Sequence, residues 1–502
     1  MIDTTHTGRT APRGRWLLVI PLALLAGCDN VNPTEVSNPR TTEEDLAEAT
    51  EPTRALLPGL RAQFASALGA TVIVTENVSD NYSIHGTALV KEIDDPYAIS
   101  PSIGHVNATG GTGIYFNLQE LRALADFVLD DIAPEDSTAT PAQIGEAHFY
   151  RGMAYLMQAE NFSAVPVEED GPPVAASDLL GRAIDDLAAA SDGAEGDIAL
   201  AATGALARAY RLAGDRANAT VRADDLIAAD PDFVFAQSFD AQSVTNDVFF
   251  FVYQRALQEM QPLPRLDFLD PKYTTREAAI PVVKAEEMHL ILAEAEMSEG
   301  QWDNGQSHLA SAIELAGSRS ADTEVQDDDP RANGDLSIRP RDSEIEVQAD
   351  DSSPFRSGLV LDRPGPIVVP TVSSTSLDAD SIIEAIDPGD EDALLHTLHL
   401  ARQEILFLEG RRMSDLGIRL PIMLREIDGN PNIDAGDPGT ETVIPAYIPP
   451  RDEMDRFSPE SPYTGTSLDD PEDITLVETQ VTIRWDMNRI LAENRVSPFV
   501  GF

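Results

Sequence analysis

From residue 143 onward the apolar positions fall into a helical rhythm, and the helices come in pairs. Over 143–160, Ala147, Tyr150, Ala154 and Met157 recur at spacings of 3, 4 and 3, one face of a 3.6-residue turn. Leu180, Ile184 and Leu187 mark a partner over 177–190. Residues 198–212 and 216–229 predict a second pair, joined by Ala213-Gly214-Asp215. Pro281 predicts the start of a third, because its missing N–H is harmless in a first helical turn. Met288, Ile291, Leu292 and Ala295 form the apolar face of that helix, Gly300 ends it, and 303–316 is its partner. A fourth helix is expected from about 392 to 416. Near the N-terminus Thr41 and Glu44 fit a capping box, and the helix they start is expected to break near Pro58-Gly59 before about 68.

Non-helical stretches separate these helices. Residues 77–113 are rich in Gly, Ser, Asn and Pro; 233–273 contain the strand-like run 248–252; 317–388 are acidic and proline-rich, with one strand-like run at 358–369. The tail 481–502 predicts an extra strand and helix. Helix–turn–helix units of about 34 residues, with small residues at the crossings, read as tetratricopeptide-like repeats. The strict repeat consensus is absent, so an irregular helical domain stays open. The expected fold is mainly α: about four helix pairs with irregular loop and short β insertions. It forms one domain over 41–502, with repeat helices at about 143–229, 281–316 and 392–416 and insertions at about 77–113, 233–273 and 317–388.

The first 40 residues follow another pattern. Arg9, Arg13 and Arg15 precede a short apolar core, 16–24, and then Leu25-Ala26-Gly27-Cys28. The apolar run is about a dozen residues, and a spanning helix needs roughly 20, so this is a signal peptide. Its end resembles the bacterial lipobox, in which the thiol takes a diacylglycerol and cleavage leaves cysteine first. Residues 1–27 are then the signal, Cys28 the lipidation site and anchor to the membrane, and the polar stretch 28–40 a flexible tether. No later segment reads as long and apolar enough to span. Cys28 is the only cysteine, so no disulfide is expected.

Charge narrows the partners. Asp plus Glu total 86 against 35 Lys plus Arg, a net charge of −51. Nucleic acid is excluded as a partner, because phosphate contacts need a basic surface. Spread along the whole chain, the acids read as the surface of a halophile's protein, which stays soluble in high salt. Dense calcium binding is the rival explanation.

Catalytic signatures fail. There is no GxxxxGK[ST], HExxH or GxSxG, and Gly110-Gly111-Thr112-Gly113 reads as a turn. His396 and His399 stand three apart on a predicted helix and could face one metal, though no further ligand cluster joins them. Asp428, Asn430, Asn432 and Asp434 alternate as calcium ligands do in an EF loop. Ile433 and Gly439 occupy the positions that need Gly and Glu, so an Asx-rich turn is the first reading and a lone calcium the second. No other cofactor is implied. Aromatics are only 6% of the chain, which draws attention to those near loops: Tyr82 with its neighbour Asn81, Tyr115 and Phe116, Trp302 and Tyr447. Aromatic faces stack on sugar C–H surfaces or apolar ligands; a core position is the alternative for each, above all for Trp302, which opens a repeat helix.

The run Arg402-Gln403-Glu404-Ile405-Leu406-Phe407-Leu408-Glu409-Gly410-Arg411-Arg412-Met413-Ser414-Asp415-Leu416 resembles the signature helix of the SusD/RagB family of nutrient-binding outer-membrane lipoproteins. Arg411 and Asp415 are spaced for an i,i+4 pair. The stretch 146–155 resembles the family's first repeat helix, Asn161-Phe162-Ser163-Ala164-Val165-Pro166 its following turn, 285–295 a later helix, and 447–453 its closing Pro-Ile-Pro-x-x-Glu segment. Ile405 stands where relatives often carry Glu, Ser163 replaces a turn glycine, and the chain runs on well past 453.

The resemblance implies a SusD-like fold and no catalysis. It implies a surface-exposed protein of the outer membrane that binds a glycan or peptide and delivers it to a SusC-like TonB-dependent transporter. It carries over no ligand residue, so Asn81, Tyr82, Tyr115 and Phe116 are expected ligand contacts on loop placement alone. A surface glycoside hydrolase and a helical-repeat envelope scaffold without small ligand are the alternatives.

Overall fold

Among the described residues the first helix, α1 (Pro52–Val78), is the longest, and 67% of its most apolar stretch is buried against protein. By length and composition it could cross a membrane, contrary to expectation; here it is a core helix packed on α2 (Ile114–Asp126) and α3 (Pro141–Asn161). It also runs straight through Pro58, where a break was expected. Pro58 removes one hydrogen bond near an exposed end, and the apolar face that follows outweighs that cost of about 3 kcal/mol. The computed structural model describes residues 50–84, 89–254, 260–321, 323–326, 343–362, 366–459 and 480–502. Cys28, the signal, the tether and the Thr41 capping box lie outside them. Residues 51–502 form one compact unit.

The helix pairs follow the apolar periodicity closely. α3 packs on α4 (Ala176–Gly193), α5 (Asp197–Leu212) on α6 (Arg216–Ala229), and α7 (Ala285–Ser298) on α8 (Trp302–Ser318). α3 begins with a true capping box, Thr140 and Gln143 bonding reciprocally with Pro141 at the first helical position. Small residues let the pairs approach: a Cβ on Gly204 of α5 would sit 2.3 Å from Val283 and 2.7 Å from Leu226. The fourth pair joins α9 (Glu391–Ile405) to α10 (Met487–Glu493), so the predicted C-terminal helix completes the repeat array. Leu290, Ile313, Leu394, Leu398 and Ile405 form the core between α7, α8 and α9. The helix Ala379–Ala385 covers α8.

Five small sheets decorate this array among the described residues. β1 (Tyr82–Ile84) pairs with β5 (Met260–Pro262), β2 (Ala164–Val165) with β3 (Val174–Ala175), β4 (Val234–Gln237) with β6 (Ile280–Lys284), and β7 (Thr323–Gln326) with β9 (Pro366–Val369), all antiparallel. β11 (Gln480–Ile483) lies between β10 (Phe457–Pro459), antiparallel, and β8 (Glu346–Gln348), parallel. The predicted tail strand is thus present, and so is a strand within 358–369.

Three local expectations are corrected. Pro281 opens no helix: it sits in β6 beside a bulge at Phe235/Ala236, where a missing N–H does no harm, and α7 starts at Ala285. The run 248–252 is a short helix, Val248–Val252, because Phe249 and Tyr253 stack one turn apart with centroids 5.4 Å apart. The predicted helix 392–416 stops at Ile405 and resumes only at Arg412–Asp415. Between them Leu408 (φ 58°) and Gly410 (φ 78°) are left-handed. Buried donors take the carbonyls freed there: Lys284 Nζ that of Ile405 at 2.6 Å, Lys272 Nζ that of Phe407 at 2.9 Å, and Tyr273 Oη that of Leu408 at 2.8 Å.

This break organises a buried ionic core. Arg412 grips Asp80 at 2.6 and 2.8 Å, and Arg265 joins Asp80 at 3.0 Å to Asp486 at 2.9 Å. Lys272 and Lys284 both meet Glu409 at 2.6 Å. The expected Arg411–Asp415 pair does not form. With the helix broken, Arg411 turns to Glu287 at 3.2 Å, and Asp415 pairs with Arg402 at 2.9 Å. Burying such pairs adds little net stability, but removing one partner leaves a bare charge at a cost of about 3–5 kcal/mol.

Candidate functional site

A cleft of about 680 Å³ opens between the N-terminal half of α2, the loop after β2 and the helix Leu424–Gly429. α2 itself was absent from the sequence expectations. Its start is fixed by the Gly110–Gly113 turn, where Gly110 and Gly111 are left-handed. The Asn117 amide donates to the carbonyls of Gly111 at 3.0 Å and Gly113 at 2.9 Å. This places Tyr115 and Phe116 at the cleft.

The walls are tied together by amides. Gln119 donates to the Pro166 carbonyl at 2.7 Å and to the Tyr115 hydroxyl at 3.1 Å, and accepts from Arg122 Nε at 3.0 Å. On the opposite side Asn430 donates to the Gly171 carbonyl at 2.9 Å and Asn432 to that of Asp170 at 2.6 Å. The helix Leu424–Gly429 is held in turn by Leu424 N–H on the Pro101 carbonyl at 3.0 Å and by its own close, with Asn430 N–H on Glu426 O. The cleft is therefore preformed, which lowers the entropy lost when a ligand orders.

Its lining mixes charged and amide groups with the apolar surfaces of Phe116, Ala123, Pro166 and Met423. Phe116 is half-buried, while Tyr115 is buried and stands edge-on to Phe162, centroids 5.7 Å apart. Burial, reinforced by the Glu426 charge, pushes the Tyr115 phenol well above its usual range, so it stays protonated. Glu168, Glu169 and Asp170 are exposed on one rim and Arg425 on the other. Carboxylates, an amide and guanidinium groups around an aromatic edge can bind polyhydroxylated ligands through paired hydrogen bonds and C–H stacking.

The other sequence candidates fall elsewhere. Tyr82 is 1% exposed, stacked on Phe407 at 5.6 Å, and donates to Asp270 at 2.9 Å; Asn81 is fully buried, bonded to Glu76 and Gln403. Both belong to the ionic core and not to a ligand face, which corrects their placement. Trp302 meets Phe502 edge-on and Tyr447 donates to the Leu416 carbonyl at 3.1 Å, so both are structural. Among the proposed calcium residues, Asn430 and Asn432 hold the cleft loop. Asp428 and Asp434 are exposed, and among the described residues no three His, Cys, Asp or Glu side chains gather as a metal site does. His396 donates to Asp486 at 2.8 Å, whereas burial pushes His399 down to about 3, so it is neutral. Gln119, Arg122 and Glu426 were missed, since only their helices bring them together.

No protein-family model and no curated protein matches the chain. Solved structures do. A Bacteroides vulgatus protein provisionally described as sugar-binding superposes with a TM-score of 0.51 at 14% identity, over 79% of this chain and 98% of that one. NanU of Bacteroides fragilis gives 0.51 at 12%, over 80% and 100%. A SusD superfamily protein of Bacteroides fragilis gives 0.48 at 14%, over 76% and 98%. The chain has the SusD-like fold, as its 402–416 segment implied.

Proposed function

We propose that this protein is a non-enzymatic binding protein that captures an oligosaccharide in the Tyr115–Phe116 cleft. Anchored to the outer membrane through Cys28, it passes its ligand to a SusC-like TonB-dependent transporter. The preformed polar cleft, cross-tied by Gln119 and Asn430, carries this reading. The SusD-like fold supports it, as does the sugar-binding description of one structural neighbour. A glycan is favoured over a peptide because the cleft sets paired polar groups beside an aromatic edge. The acidic rim disfavours polyanionic glycans.

A panel of neutral and amino-sugar oligosaccharides, titrated calorimetrically against residues 41–502, tests the binding step. Saturable binding that Phe116→Ala and Arg425→Ala each weaken about tenfold is expected. Release of reducing ends, or binding that both substitutions leave unchanged, overturns the assignment. Native-membrane pull-down of the full chain is expected to recover a large β-barrel, and a Cys28→Ser chain to be released from the membrane.

A further inference from the structure

A second cavity, of about 420 Å³, lies between α9, the helix Ala379–Ala385 and the segment 347–359, with residues of the C-terminal tail at one end. Its volume falls within the range of small-molecule sites, roughly 300 to 1,000 Å³. Its walls differ from those of the polar cleft. Leu359, Leu377, Ile382, Ile386 and Leu400 make it mainly aliphatic, which suits hydrocarbon and not sugar.

The polar groups lining it can be accounted for one by one. Asp486 accepts from Arg265 at 2.9 Å and from His396 Nε2 at 2.8 Å. Glu404 accepts from the Thr375 hydroxyl at 2.7 Å and the Ser376 hydroxyl at 2.6 Å and N–H at 2.8 Å. Arg489 pairs with Asp350 at 2.7 Å. Both lining carboxylates are thus saturated from within the protein. Besides the Nε atoms of Arg265 and Arg489, which make no hydrogen bond, two groups are left over. Arg356, half-buried, donates to the carbonyl and hydroxyl of Ser376 at 2.9 and 3.0 Å and pairs with no carboxylate among the described residues. His396 is bonded through Nε2, and its Nδ1 has no partner among them. In a chain with 86 acidic and 35 basic residues, a half-buried arginine beside a cavity and without an acid partner among the described residues is a candidate place for an anion from outside.

We infer that this cavity is a second binding site, for a small amphipathic monocarboxylate. Its hydrocarbon part fills the Leu359–Ile386 walls and its carboxylate meets the Arg356 guanidinium, with His396 beside it. The site is separate from the oligosaccharide cleft and stands or falls independently of it.

Octanoate and 4-phenylbutyrate are the probes, octanamide the neutral control, titrated calorimetrically into the chain lacking its signal. One saturable site is expected for each carboxylate, with octanamide about tenfold weaker or more. Arg356→Gln is expected to abolish the preference for carboxylate over amide while the unfolding midpoint stays unchanged. Arg356→Lys is expected to restore part of it, and Phe116→Ala in the polar cleft to leave it intact. Equal affinity for octanoate and octanamide, no saturable binding, or a preference that survives Arg356→Gln in a folded variant overturns the proposal.

Discussion

Glu76 is fully buried, and its carboxylate accepts from the Gly410 N–H at 2.9 Å, the Leu408 N–H at 3.3 Å and the Asn81 amide at 2.5 Å. Burial dominates and pushes its pKa from the ordinary 4.5 up to about 7. A carboxyl raised in the folded state favours folding below its unfolded pKa, and that contribution is lost as pH rises through the folded one. Between about pH 4.5 and 7 stability should therefore fall by about 3 kcal/mol on this account. Denaturant titrations across that window should show the slope flatten in Glu76→Gln; an unchanged slope would assign the effect to other groups. Asp80, Asp415 and Asp486 are shifted the other way against the upward push of burial, the first two by their guanidinium partners and Asp486 by the His396 hydrogen bond and Arg265. Their stabilisation is present above the unfolded value of 3.8 and is lost as pH falls further. Asp80→Asn should cost about 3–5 kcal/mol in urea unfolding, because it leaves Arg412 and Arg265 short of a counter-charge in the core. A loss below about 1 kcal/mol would show that water reaches the pair. The sequence displayed Arg412 within its motif, but nothing in it pointed to a partner 332 residues away.

At the scale of elements, periodicity carried most of the information. Arg216–Ala229 was placed to the residue, and the helices of the first two pairs and the second helix of the third were bounded within a few residues. Two of the failures share one cause: a local pattern overridden by a distant partner. β6 is strand because β4 pairs with it, and α9 stops because lysines and a tyrosine from 272–284 take its carbonyls. The candidate cleft was half legible for the same reason. Tyr115 and Phe116 stand out in a chain poor in aromatics, whereas Gln119 and Asn430 acquire meaning only when α2 and Leu424–Gly429 face each other. Helix crossings give a sharp test. In α5, Gly204→Ala would drive a methyl into Val283 and Leu226, with an expected loss of about 1–3 kcal/mol. In α4, Gly181→Ala meets nothing within 4 Å and should gain about 0.5–1 kcal/mol through helix propensity. Thermal unfolding of the two variants should move in opposite directions; equal shifts would refute close packing at Gly204.

For the whole molecule, charge sets the conditions of stability. A net charge of −51 opposes compaction through self-repulsion between surface groups. At about 1 M salt the Debye length is near 3 Å, so that repulsion is screened, while the pairs around Asp80 and Glu409 are sheltered from solvent. The midpoint of thermal unfolding should rise between about 0.1 and 1 M NaCl. A flat or falling profile would mean that surface ion pairs offset the repulsion at low salt.

The tail beyond 480 reaches deep into this body. Asp486 pairs with Arg265 and accepts from His396 Nε2, Asn488 bonds Gln403 at 2.8 Å, Ser497 bonds Glu294 at 2.8 Å, and Phe502 lies against Trp302. These residues are synthesised after helices α1 to α9. Until they arrive, Arg265 sits in the interior one counter-charge short and α9 has no partner helix. Residues 480–502 thus act as a bolt across the centre of the fold, tying α9, Arg265 and α7 together. A chain ended after residue 479 should accordingly retain helical circular dichroism yet lose its cooperative unfolding transition.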